Sequence, residues 1–131
     1  MKGENMEWKF ENDRPIYIQL VEQLKLAIAS GVYSSGERLP SVRDLALEIK
    51  ANPNTVQRAY SELEDKGLVY TQRTNGKFVT ENQELLKEMR EKIAKEEFLR
   101  YIENMKKLGY TAKEIKEYIQ KNEKEIGKEN G

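Results

Sequence analysis

A helix start that carries hydrogen-bonding side chains lies near the middle of the chain, in the stretch ANPNTVQRAY at residues 51–60. Asn52 and Pro53 predict this start, because an asparagine oxygen can cap the first turn and proline fits the first helical position. Polar residues follow directly inside the helix: Asn54, Thr55, Gln57 and Arg58. Asparagine and glutamine suit the edge of adenine, and arginine suits that of guanine, so these residue types can hydrogen-bond to DNA bases.

The apolar residues of this segment decide which way the polar ones face. They recur at helical spacing and predict a helix over about residues 53–66 with one buried stripe: Val56, Ala59, Tyr60 and Leu63. Burial of this stripe leaves Asn54, Thr55 and Arg58 on one outward face, with Gln57 beside them. Polar residues on an outer face are usually only solvated, so the neighbouring elements must supply the stronger indication.

Two further helices are predicted before this one. Apolar spacing indicates a helix over about residues 15–30 that ends at Gly31, and another that begins with Ser41 as its N-cap. Arg43 lies in the first turn of the second helix, away from its apolar face. Only two or three residues separate the second and third helices, which is the spacing of a helix-turn-helix.

A β-hairpin is predicted directly after the third helix. The strands LVYTQ and KFVTE alternate with period two and are separated by RTNG, an Asn-Gly turn. Arg73, Gly76 and Lys77 lie at or beside this turn. The order of elements predicts a winged helix-turn-helix, in which Arg43, Arg73 and Lys77 face the same side as the tip of the third helix.

The composition argues against an enzyme. The 131 residues include no cysteine and no histidine, which removes disulfides, thiol nucleophiles, the usual general base and the commonest metal ligand. We therefore expect no catalytic residues, no metal and no cofactor. The absence of a long apolar run or a hydrophobic secretion signal at residues 1–10 predicts a cytoplasmic protein.

Charge alone leaves two kinds of partner open. The net charge is zero, which favours a winged-helix module that binds another protein rather than DNA. Residues 38–80 are nevertheless net basic, with seven Lys or Arg against five Asp or Glu. A focused basic patch matters more for DNA binding than the sum over the whole chain.

The chain after residue 80 is rich in Lys and Glu and predicts two helices that meet near Gly109, the second beginning with a capping box at Thr111 and Glu114. Both helices have wide apolar faces, and about 50 residues are too few to enclose a typical ligand pocket of roughly 300–1,000 Å³. We therefore expect the faces to meet a second copy in a symmetric dimer, with packing onto the chain's own winged domain as the alternative. The predicted fold is α+β and mainly helical, with a DNA-binding domain at residues 1–80 and a short dimerising helical hairpin at residues 81–131.

Four motifs together resemble the GntR family of transcriptional regulators. They are RPIYIQL, IASGVYSSGERLPSVRDLA, NPNTVQRAYSELEDKGLVY and NGKFV, and they cover about residues 14–80. The short C-terminal part and the wording NPNTVQRAY resemble its YtrA subfamily. The resemblance implies a winged helix-turn-helix that binds palindromic operators as a dimer. It further implies a repressor that acts on its own operon, with ABC-transporter genes among the targets, although an inducing small molecule is not implied.

The resemblance also assigns DNA contacts residue by residue. Ser41 and Arg43 match the family's PS-x-R motif, and the polar positions of the recognition helix match Asn52, Asn54 and Thr55. Gln57 stands where many members have arginine, so the base preference of those members cannot be transferred to this chain. The wing of many members reads Gly-x-Gly, whereas here Thr74 replaces the first glycine and only Gly76 remains.

Overall fold

The computed structural model describes residues 6–128, so the first five residues of the N-terminal segment lie outside it. The chain divides into two compact units, one ending at Arg90 and the other beginning at Glu91. The helices and strands in chain order are α1 Ile16–Ser30, α2 Val42–Ile49, α3 Pro53–Asp65, β1 Val69–Gln72, β2 Gly76–Val79, α4 Gln83–Lys107, α5 Ala112–Lys121 and α6 Glu123–Ile126. The prediction of a mainly helical α+β fold is confirmed.

The first unit is built around the buried faces of α1, α2 and α3. Its core includes the fully buried side chains Leu20, Leu24, Leu45, Val56, Leu63 and Val79. The start of α4 also contributes to this unit, because Leu85, Leu86 and Met89 pack against the same core. Burial of such side chains from water is the main favourable contribution to folding.

Two glutamines on α1 hold the preceding segment in place. The amide group of Gln19, which is buried, accepts a hydrogen bond from the Glu11 backbone N–H and donates to the carbonyls of Glu11 and Arg14. Gln23 pairs in the same way with the backbone N–H and carbonyl of Lys9. These bonds attach the segment from Lys9 to Arg14 along the side of α1.

The turn between α2 and α3 is as short as the sequence predicted. Ser41 caps α2 through its side-chain oxygen, which accepts a hydrogen bond from the Asp44 N–H. After Ile49 the chain turns through Lys50, whose φ of 57° is left-handed, and α3 begins at Pro53. The Tyr60 hydroxyl of α3 donates to the Pro40 carbonyl at 2.7 Å and so ties the loop before α2 to α3.

The hairpin gains a third backbone segment that the sequence did not predict. Strands β1 and β2 pair antiparallel, with Val69 opposite Val79 and Gln72 opposite Gly76. On the other side of β2, the chain around Arg38 forms a bridge with Phe78, and the Leu39 N–H donates to the Lys77 carbonyl. A single bridge is too short to show a period of two, so no sequence pattern indicated this third segment.

A charged cluster joins the hairpin to α3. Glu64 of α3 accepts a hydrogen bond from the Thr71 hydroxyl at 2.6 Å and forms a 3.1 Å salt bridge with Lys77. The Lys77 ammonium also donates to the Thr71 hydroxyl oxygen. The bond from Thr71 and the Lys77 charge hold the pKa of Glu64 below its usual range, against a smaller opposing effect of burial.

The second unit consists of the later part of α4, α5 and the short α6. Thr111 and Glu114 form the predicted capping box at the start of α5. Met105 and Ile115 are its buried apolar residues in the part of the chain that the structure describes. The helix after Thr111 stops at Lys121, where the Asn122 side chain bonds the Tyr118 carbonyl, and Ile126 beyond it is 74% exposed.

Across residues 6–128, no helix has both the length and the apolar composition that crossing a membrane requires.

We expect Tyr60→Phe to destabilise the protein by about 1 kcal/mol, because the partly buried Pro40 carbonyl loses its hydroxyl donor while the apolar contacts of the ring remain. Burial raises the pKa of Tyr60 above its usual range, so its hydroxyl stays protonated and remains a donor. Urea unfolding at neutral pH measures the change. Tyr70→Phe is the matched control, since Tyr70 stacks on Phe78 but its hydroxyl bonds no described residue. Equal losses for the two variants would contradict the role assigned to the Tyr60 bond.

We expect Glu64→Gln to lower the free energy of unfolding at pH 7 and to have less effect as the pH falls. A carboxyl group whose pKa is lowered by folding contributes stability above its unfolded pKa of about 4.3, and this contribution is lost as the pH falls through the folded value. Denaturant unfolding of both proteins at pH 7, 5 and 3 tests this. Glu62→Gln, which removes an exposed salt bridge with Lys66, should have a smaller effect at pH 7. A Glu64→Gln effect that stayed constant over this range would contradict the assignment.

Candidate nucleic-acid interface

The N-terminal tip of α3 is exposed, as the sequence predicted. Asn52 caps the helix, its side-chain oxygen accepting a hydrogen bond from the Asn54 N–H at 2.8 Å. Asn54 is exposed and Thr55 is half-buried. The capping bond occupies one acceptor of Asn52, so any contact of this residue with DNA falls mainly to its amide NH₂ group.

The next turn of α3 holds its polar side chains against neighbours. Gln57 is exposed and donates to the Ser61 hydroxyl oxygen at 3.3 Å. The Arg58 guanidinium lies over the ring of Tyr17 on α1, with its central carbon 3.7 Å from the ring centroid. This cation–π contact orders the arginine but leaves its N–H donors without a partner among residues 6–128. Sequence reasoning missed Tyr17, although it lies within the motif RPIYIQL.

The start of α2 carries one arginine, Arg43. Arg43 is exposed and makes no ion pair or hydrogen bond with any residue in the range 6–128. Ser41 is exposed too, but its side-chain oxygen is engaged in the cap of α2. Arg43 is therefore available to a ligand, whereas Ser41 has a structural role that does not require one.

The hairpin places its three predicted residues in different situations. Arg73 is exposed at the tip and has no partner among the described residues. Gly76 has a φ of 99°, and a Cβ atom there would lie only 3.1 Å from Nε of Arg38. The Lys77 ammonium is engaged by Glu64 and Thr71, and the Lys77 side chain is only 18% exposed.

A groove of about 200 Å³ lies between the start of α2 and the hairpin. Its lining includes Ser41, Gly76 and Lys77, so it brings together predicted residues from two elements, and it also includes Arg38, which was not predicted. The only sequence signal for Arg38 was its position in the net-basic segment. The guanidinium of Arg38, at the end of a flexible side chain, adds a positive charge to this groove.

The arrangement suits binding to a polyanion rather than catalysis. The first unit offers hydrogen-bond donors and acceptors at the tip of α3 and, on other elements, the exposed arginines Arg43, Arg38 and Arg73. Among residues 6–128 there is no group of three or more Asp, Glu, His or Cys placed to hold a metal ion.

In the second unit, the ring of Tyr110 packs edge-on against the ring of Tyr118, with 6.0 Å between the ring centroids, which is an ordinary aromatic contact.

Comparison with known proteins identifies the family. The family model for bacterial regulatory proteins of the gntR family matches residues 16–79, which span α1 to β2. The HTH-type transcriptional regulator YhcF of Bacillus subtilis is 39% identical over 114 residues, covering 87% of this chain and 94% of the relative. The HTH-type transcriptional repressor YtrA of the same organism is 37% identical over 119 residues, covering 88% of this chain and 92% of the relative. A solved GntR-family regulator from Listeria monocytogenes superposes with a TM-score of 0.78 at 38% identity, covering 86% of this chain and 98% of that one. The predicted resemblance is thus confirmed, and the chain belongs to the GntR family of bacterial transcriptional regulators.

Proposed function

We propose that this DNA-binding transcription regulator, which is not an enzyme, acts as a repressor that binds a palindromic operator as a homodimer. The observation that carries the proposal is the exposed polar tip of α3, together with the exposed Arg43 and Arg73, neither of which has a partner among the described residues. A major groove about 12 Å wide admits one helix, and a recognition helix reads bases with its N-terminal residues.

Most of the predicted contact residues have a proposed part in binding. Asn54, Thr55 and Gln57 would face base edges at the start of α3, and Arg43 would approach from α2. Arg58, ordered by its contact with Tyr17, would reach a phosphate or a guanine. At the hairpin, Arg73 and the backbone at Gly76 would approach the neighbouring DNA backbone, while Asn52 and Ser41 chiefly fix the helix starts.

Repression and the gene targets rest on the relatives rather than on geometry. The relative YtrA is named as a repressor. From the resemblance to the YtrA subfamily, we further propose that this protein, in the cytoplasm, occupies a promoter in its own operon, with ABC-transporter genes among the targets. Occupying the promoter would exclude polymerase.

The second unit supplies the proposed dimer contact. Its exposed apolar side chains include Phe98, Leu99 and Leu108, each more than half exposed, and the slightly less exposed Tyr118. Exposed apolar surface of this kind commonly marks an interface. A second copy is the occupant that a palindromic site requires, because two-fold symmetry in DNA is matched by two-fold symmetry in the protein.

A protein-binding module without a DNA partner is the alternative function. The zero net charge of the chain is the observation that favours it. Salt distinguishes the two functions, since a protein that neutralises Z phosphates loses affinity with a slope of about −0.9Z in log salt. Footprinting of the DNA upstream of the gene, at stated salt concentrations, would identify the operator for this test.

We expect Arg43→Ala to weaken operator binding by about 1–3 kcal/mol if Arg43 contacts a base. Titrating the variant against labelled operator and against a scrambled duplex measures its operator affinity and how far its preference for the operator over the scrambled duplex has fallen. Arg14→Ala is the matched control. It removes the same charge as Arg43→Ala, but Arg14 is already paired with Glu22 on the surface. Operator affinity that is unchanged in folded Arg43→Ala would remove Arg43 from the interface.

We expect the double change Phe98→Gln and Leu99→Gln to shift the protein from dimer to monomer, because it replaces two half-exposed apolar side chains of α4 with polar ones. Sedimentation equilibrium gives the mass of each species. Leu26→Gln on α1 removes a similarly exposed leucine, 56% against 53% for Leu99, and should leave the dimer intact. A dimer that persists in the double variant, or is lost in Leu26→Gln, would place the interface elsewhere.

A further inference from the structure

We propose that Arg38, rather than Lys77, is the cation at the base of the hairpin that contacts a DNA phosphate, and that Lys77 instead fixes the hairpin to α3. This inference rests on the proposed function, because it assigns a residue to the same DNA-binding surface. The sequence analysis assigned no role to Arg38 and placed it only within the net-basic segment.

The backbone of Arg38 is held firmly beside β2. Arg38 forms a bridge with Phe78, the Leu39 N–H donates to the Lys77 carbonyl at 2.8 Å, and the Val79 N–H donates to the Glu37 carbonyl at 2.9 Å. Its side chain therefore starts from a fixed point on the hairpin rather than from a loose loop. A fixed starting point lowers the conformational entropy that binding would cost.

Gly76 makes room for the Arg38 side chain. A Cβ atom at position 76 would lie 3.1 Å from Nε and 3.4 Å from one terminal nitrogen of Arg38, which is tighter than ordinary contact. The guanidinium thus lies directly against Gly76, and a side chain at position 76 would push it aside. Gly76 was predicted as a DNA-binding position, so its neighbour Arg38 lies on the surface proposed to meet DNA.

The Arg38 guanidinium is exposed and has no acceptor within residues 6–128. The nearest carboxylate in sequence, that of Glu37, accepts a hydrogen bond from the Ser34 N–H at 2.7 Å instead. Arg38 also shares its groove with Ser41 at the start of α2. An exposed arginine with unused donors, between a helix start and a hairpin, is suited to hydrogen-bond a phosphate.

Lys77 is in the opposite situation. Its ammonium lies 3.1 Å from a Glu64 carboxylate oxygen and 2.8 Å from the Thr71 hydroxyl oxygen, and its side chain is 18% exposed. A phosphate contact would have to break both bonds and leave Glu64 close to the DNA without its counter-charge. We therefore assign Lys77 to the attachment of the hairpin rather than to the DNA contact that its position in the sequence suggested.

The test compares the salt dependence of operator binding for Arg38→Met and Lys77→Met, which each remove one positive charge from the same hairpin. We expect Arg38→Met to reduce the magnitude of the slope of log affinity against log salt by about 0.9, the value for one phosphate contact. Lys77→Met should keep the wild-type slope but unfold at a lower urea concentration. Arg38→Lys, which keeps the charge, should restore most of the slope.

Each other outcome has a definite meaning. An unchanged slope for Arg38→Met in a protein that binds its operator, or a reduced slope for Lys77→Met, would overturn this inference and leave the proposed function standing. Wild-type protein that shows no salt-dependent DNA binding would overturn both. An unfolding temperature of Arg38→Met equal to that of the wild type would show that the reduced salt slope comes from the lost contact and not from a loss of fold.

Discussion

The burial of one face of α3 determines what the rest of the first unit can do. Val56, Ala59, Tyr60 and Leu63 are almost completely inaccessible to solvent, and α3 packs through them against α1 and α2. Because side chains on a helix have fixed relative directions, this burial sets the outward face of the whole helix at once. The exposed tip is thus a consequence of the apolar core, and apart from the capping residue Asn52 its polar side chains are not needed to set the direction of the helix.

The hairpin depends on α3 through a second, polar constraint. Glu64 on the last turns of α3 joins β1 through Thr71 and β2 through Lys77. A two-stranded hairpin is only marginally stable alone in water, so contacts to a helix and to the chain around Arg38 are what give it a defined position. The helix that would enter the groove and the hairpin that would lie beside it therefore move as one body.

Sequence reasoning succeeded where structure is set locally. The apolar stripe of α3, the Ser41 and Asn52 caps, the capping box at Thr111 and the Asn-Gly hairpin all follow from patterns within a few residues. It failed where distant residues meet. The bridge of Arg38 with Phe78, the stacking of Arg58 on Tyr17 and the engagement of Lys77 by Glu64 join residues 13 to 41 positions apart, and no local period reports them.

The attachment of the segment before α1 has a consequence for how that segment tolerates change. Gln19 and Gln23 bond only to backbone atoms of Lys9, Glu11 and Arg14, in the manner of a neighbouring strand. Every residue type except proline offers the same backbone N–H and carbonyl. The identity of the side chains at positions 9 and 11 is therefore immaterial to the attachment, whereas the two amides on α1 have no substitute of equal length and hydrogen-bonding capacity. The specificity of these hydrogen bonds therefore lies on the helix side, while Trp8 and Phe10 of the same segment pack their own side chains against the core.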